Sequence, residues 1–173
     1  MLLPYNTIKE NLKKIASIVE KTQCQNYINY NDFIETCNKR WDIIENSNKD
    51  RQYDTYKKDR RYTTEIEKLQ GYVEKTLQKC EKINSYSETN NAIVANKAKK
   101  AIVAKYSIVY NELFHNLCNE TNVEKQVQYE KDIEDLQKKT QEICSVVDTK
   151  AFEKQIKSAS DVEQIKTLII NYK

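Results

Sequence analysis

A single glycine and a single proline occur in 173 residues, against usual shares of roughly 7% and 5%. Tight turns between strands draw on glycine for positive φ and on proline for a fixed φ, so their near absence argues against an all-β or α/β fold. The lone Gly71 also excludes a glycine-rich phosphate loop. One histidine, His115, argues against a catalytic triad, a histidine metal cluster and an HExxH pair. No stretch approaches the 18 or so apolar residues that cross a bilayer, so no membrane span is expected. Cysteines are few and scattered, at positions 24, 37, 80, 118 and 144. No two stand close enough for a CxxC zinc or redox motif.

Charge of one sign is also lacking. Lysine plus arginine number 29 and aspartate plus glutamate 26, a net +3 that demands neither nucleic acid nor acidic lipid as a partner. What the chain has instead is charge in quantity, 32% of residues, with only 39% hydrophobic. Isoleucine outnumbers leucine 18 to 9 and there are twelve tyrosines. With abundant Asn and Lys, this composition points to an A/T-rich genome, such as that of a parasite or a virus.

The apolar residues fall at helical spacing. Tyr62, Ile66, Leu69, Val73, Thr76, Cys80 and Ile83 alternate gaps of four and three, which aligns them on one stripe of a helix. Tyr129, Ile133, Leu136, Thr140, Ile143 and Val147 repeat the pattern. Val94, Ala98, Ile102, Tyr106, Val109 and Leu113 nearly do. A helix with one apolar stripe is marginal alone in water, so each requires the others. The expected fold is therefore all-α: an elongated antiparallel bundle of five to seven helices around three long members, near 50–86, 90–119 and 121–147. An N-terminal pair over 1–48 packs on the 49–147 core, and short helices over 148–173 close the end, the whole forming one domain. Asn84 to Asn91, rich in Asn, Ser and Thr, reads as the clearest linker. Thr7/Glu10, Asp32/Glu35, Thr121/Glu124 and Ser160/Glu163 have capping-box spacing, and Asp148 is a further cap. Gly71 falls inside a long helix, either because a neighbouring backbone packs there or because the helix tolerates it.

Candidate sites follow from the polar runs. Residues 49–62 hold six basic and three acidic side chains with tyrosines interleaved. Arg51, Lys57, Lys58, Arg60 and Arg61 could bind a partner, meeting phosphates while Tyr53, Tyr56 and Tyr62 stack on bases, or meeting a protein. Asp50, Asp54 and Asp59 oppose that role and fit an ordinary solvated face. Lys97, Lys99, Lys100 and Lys105 form a purely basic run set in Ala, Ile and Val. It reads as core packing rather than as a membrane-surface helix, which would carry Trp, Phe or Leu on its apolar face. His115 and Cys118 share a face but lack further metal ligands, and the carboxylate pairs Glu134/Asp135 and Glu65/Glu67 sit in mixed-charge surface. Asn119-Glu120-Thr121 is the one glycosylation sequon, relevant only to a secreted chain.

These features imply no enzyme, no cofactor and no metal. The expected role is that of a non-enzymatic interaction or structural protein meeting a macromolecular partner, a protein first, through exposed helix faces. Two alternatives stand beside it: a secreted or surface domain of a parasite or virus that binds a host receptor, and a nucleic-acid binder working through 49–62. Reduced cysteines and an intracellular location are expected, because Met1-Leu2-Leu3-Pro4 is too short an apolar patch for a signal peptide. Secretion or a cell-surface site would apply to a chain cut from a larger precursor.

Overall fold

The computed structural model describes the backbone over residues 2–49 and 55–173, and side chains over 5–46 and 63–173. Among the described residues there are eight α-helices and no strand. They are α1 (Leu2–Thr22), α2 (Gln25–Ile28), α3 (Tyr30–Lys49), α4 (Thr55–Val94), α5 (Lys100–Asn119), α6 (Val123–Cys144), α7 (Lys150–Lys157) and α8 (Val162–Ile170). The count exceeds the expected five to seven because α2 adds a single turn between α1 and α3. Two compact units are distinguished, residues 1–83 and 84–173.

In the first unit, one apolar stripe from each of three helices makes the core. Ile8, Ile15 and Val19 of α1 meet Phe33, Cys37 and Ile44 of α3, and Ile66, Leu69, Val73, Leu77 and Cys80 of α4. Burial of a side chain of this size contributes roughly 1.5–3 kcal/mol, which is what holds each helix in place. Aromatic contacts extend the core: Phe33 lies 5.3 Å from Tyr72 and Trp41 lies 5.1 Å from Tyr5, between ring centres. The Arg40 guanidinium sits over the Tyr72 ring at 5.6 Å.

The second unit is built from the end of α4 and from α5 to α8. Ile102, Tyr106, Val109 and Leu113 are buried as their spacing predicts, against Ile133, Leu136 and Ile143 of α6. Phe152, Ile156, Ile165 and Ile169 bring α7 and α8 onto the same core. The nine-residue α8 is too short to persist alone, and its buried isoleucines show that it covers this unit. A half-buried ion pair of 3.1 Å between Lys166 and Asp132 holds it to α6.

Several boundaries depart from the sequence reading. Asn84–Asn91 is not a linker but the interior of α4. Buried Ile83, Tyr86 and Ile93 keep the apolar register running through it, and the Asn84 amide donates to Glu88 one turn on at 3.2 Å. Tertiary burial outweighs the weak helix propensity of Asn and Ser. The break falls instead at 95–99, so Ala98 lies in a turn and Val94 is exposed. Val147 likewise lies past the end of α6 and is 96% exposed. Helix α1 starts at Leu2, which places Thr7 inside it rather than at its cap. Asp32 is inside α3 and accepts from the Asn29 side chain. The cap of α6 is Asn122 rather than Thr121, with Oδ1 accepting from the Lys125 N–H at 3.1 Å. Thr149 and Asp161 occupy the caps of α7 and α8.

With glycine all but missing, helix C-termini need other solutions, since glycine ordinarily takes the left-handed residue there. Gln23 (φ 60°) and Asn29 (φ 50°) adopt that conformation after α1 and α2. Lysine ammoniums hold backbone carbonyls at or just past four helix ends. Lys99 donates to the Val147 carbonyl beyond α6, Lys105 to Ala159 beyond α7, Lys139 to Tyr172 beyond α8, and Lys79 to Tyr27 at the end of α2. Only the Tyr27 carbonyl belongs to a helix's last turn, where the ammonium also meets the negative pole of the dipole; the other three lie two or three residues past a helix end, so these lysines tie down the turns that follow.

Candidate functional surfaces

The residues nominated from sequence, Arg51, Tyr53, Tyr56, Lys57, Lys58, Arg60, Arg61 and Tyr62, lie outside the described side chains. The second basic run is divided by the fold. Lys99 and Lys105 are half-buried and bonded to the turns that follow α6 and α7, while Lys97 and Lys100 remain exposed.

Two described surfaces depart from the ordinary pattern of polar outside and apolar inside. At the start of α6 the Gln126 amide donates to the Glu120 carbonyl at 2.6 Å and is buried in the turn between α5 and α6. That bond, with the Asn122 cap, sets the rotational phase of the helix. Gln126 and Ile133 turn inward, and Val123 and Val127, one turn apart, stand 67% and 57% exposed. A β-branched pair at this spacing forms a small apolar stripe on an otherwise polar face.

A groove of about 670 Å³ lies along α7 and α8. Phe152 and Tyr172 meet edge to face at 4.9 Å within its lining. Leu168 adds a further apolar wall, with Asp148, Lys150 and Lys173 also lining it. Sequence reasoning did not find this groove. Its components lie some twenty residues apart, and only the docking of α8 brings Tyr172 onto Phe152.

The strongly perturbed ionisable groups are buried rather than gathered in a cleft. Burial pushes the thiols of Cys37 and Cys80 up to about 11, against the lowering effect of Arg40 on one and Lys79 on the other. It raises the Tyr106 and Tyr110 phenols and the Cys144 thiol as well. Groups held neutral in this way pack as hydrophobes and are poor nucleophiles. His115 is exposed and contacts Asn119. Cys118, its proposed companion, is buried and disulfide-bonded, so it has no thiolate to offer a metal. Among the described residues no three possible ligands come together.

No family model, no curated protein and no solved structure matches the chain. The cysteines divide into two groups. Cys37, Cys80 and Cys144 are free, whereas Cys24 and Cys118 are disulfide-bonded. The bonded Cys24 and Cys118 run against the expectation of reduced cysteines, since spacing along the chain and helical phase do not show which thiols meet in space. Among the described residues no helix is long and apolar enough to cross a membrane.

Proposed function

We propose that this chain is a non-enzymatic helical interaction or structural protein that holds a protein partner through exposed helix faces. The observation that carries this reading is the Val123–Val127 stripe. Two apolar side chains more than half exposed, one turn apart and fixed in phase by a buried glutamine, are what an approaching helix or sheet would cover. The balanced charge around them, with Glu124 and Lys125 on neighbouring positions, suits a polar rim about a small apolar centre. Capture from the native source with the wild-type chain and with Val123→Asp/Val127→Asp tests it. A partner lost by the variant, with circular dichroism and melting unchanged, supports the reading. Equal capture by both chains, or turnover of a substrate by the purified protein, overturns it.

A second reading, a secreted or surface domain that binds a host receptor, draws on the disulfide-bonded Cys24 and Cys118. Bridges of this kind persist in oxidising compartments and are rare in the reducing cytosol. Non-reducing mass spectrometry of the protein from its native source decides: a bridged form favours secretion, and five free thiols remove it. The nucleic-acid reading rests on residues 49–62 and predicts binding that weakens steeply with salt and falls on Lys57, Lys58, Arg60 and Arg61 to Ala.

A further inference from the structure

The second unit has one end unlike the rest of its surface. Lys99 Nζ lies 3.1 Å from the Val147 carbonyl and 2.7 Å from Thr149 Oγ1, which ties the 95–99 turn to the 145–149 turn. Ile93 and Asn96 share a small pocket with Gln141 and Cys144, so the ends of α4 and α6 are also neighbours there. From this tip two valines project, Val147 at 96% and Val94 at 47% exposure. Lys97, Lys100 and Lys150 are exposed in the same turns and make no ion pair among the described residues. No acidic residue occurs between Glu88 and Glu112. The opposing charges are Asp148, whose carboxylate accepts from the Lys150 backbone N–H at 3.2 Å, and Glu153, which lines a shallow pocket with Lys150, Lys154 and Lys157; lysines still outnumber them. The N-termini of α5 and α7 open at the same place, adding partial positive charge.

We propose that this tip docks on an anionic lipid bilayer, with Val147 and Val94 entering the headgroup boundary and Lys97, Lys100 and Lys150 meeting lipid phosphates and carboxylates. The α5 face that resembled a membrane-surface helix is buried in the core, so contact is made end-on by the turns. Two features select lipid over nucleic acid. Exposed branched apolar side chains gain nothing against a phosphate backbone, and the tip offers no aromatic or arginine plane for a base. Anionic headgroups attract each nearby lysine over about a Debye length. This inference goes beyond the protein-binding reading and uses different residues.

Co-sedimentation of the full chain with vesicles of phosphatidylcholine alone, and with about a third phosphatidylserine, tests it. Binding is expected only to the anionic vesicles. It should fall about a hundredfold for Lys97→Glu/Lys100→Glu/Lys150→Glu, on the basis of roughly fivefold per lysine, and severalfold for Val147→Asp. A Val147→Cys chain labelled with an environment-sensitive dye gives a readout independent of charge reversal, a blue shift on adding anionic vesicles. Failure to bind anionic vesicles, binding with no dye shift and no effect of Val147→Asp, or a preference for single-stranded RNA over vesicles at equal salt would each overturn the proposal. Since Val123 and Val127 are untouched, loss of lipid binding and loss of protein capture are distinguishable.

Discussion

Gln137 is the most informative single residue in the second unit. It is buried on α6, and its Nε2 donates to the Tyr86 carbonyl at 2.9 Å and to the Tyr106 hydroxyl at 3.2 Å. Tyr106 is fully buried and Tyr110, stacked one turn beyond it, is nearly so. Replacing Gln137 with Leu keeps the volume but leaves the Tyr106 hydroxyl without its donor, a loss of about 1–3 kcal/mol for an unsatisfied buried group. Tyr106→Phe alone removes the acceptor and frees one amide proton at a comparable penalty. The double variant has neither of these orphans, though the Tyr86 carbonyl loses its Gln137 donor just as in Gln137→Leu, so two apolar groups of matching shape recover only the part of the loss that belongs to the pair. Urea denaturation of the four proteins at constant m-value therefore predicts a coupling of about 1–2 kcal/mol, the double variant being more stable than the sum of the singles allows. Additive losses would show that the pair is not coupled and would refute the account of this core.

Other expectations follow from the same reasoning. Thr140 is fully buried and its hydroxyl has no hydrogen-bond partner among the described residues, so Thr140→Val should be neutral or stabilising by up to about 1 kcal/mol in the same assay. A Cβ built on Gly71 meets nothing within 4 Å. Gly71→Ala should therefore stabilise by roughly 0.5–1 kcal/mol, read as a higher melting temperature. The raised thiols of Cys37 and Cys80 give a pH signature. The unfolded chain loses these protons near the ordinary 9.0 and the folded chain near 11, so their contribution is complete below about 9 and lost as pH rises towards 11. Alkaline denaturation that sharpens for the wild type and flattens for Cys37→Ala/Cys80→Ala is the check. Thiol titration of the denatured, unreduced protein should count three thiols, and five after reduction.

Much of the architecture was legible in the sequence, for identifiable reasons. Helical stripes such as Ile66–Leu69–Val73 and Ile133–Leu136 depend only on 3.6-residue periodicity, and these were found buried. Boundaries were legible only where local chemistry agreed with tertiary packing. At Asn84–Asn91 it did not: Tyr86 and Ile93 carry burial that no local propensity scale registers. The capping-box pattern is short and degenerate, and was displaced by a residue or more at most sites. Lysine bonds to turn carbonyls, such as Lys105 to Ala159, join residues more than fifty apart, and nothing local announces them. On the candidate surfaces less was visible. Val123 and Val127 look like ordinary members of an amphipathic helix until the Gln126–Glu120 bond fixes their phase, and the α7–α8 groove exists only once α8 is docked.

The central claim is that apolar stripes are hidden in one another and that the work is left to outer faces, foremost that of α6. Cross-linking mass spectrometry of the chain with its captured partner tests this most directly. The account predicts lysine cross-links from Lys125 and Lys131, which flank the Val123–Val127 stripe and are exposed. A partner cross-linked only to lysines remote from α6, with those two unreacted, would contradict it.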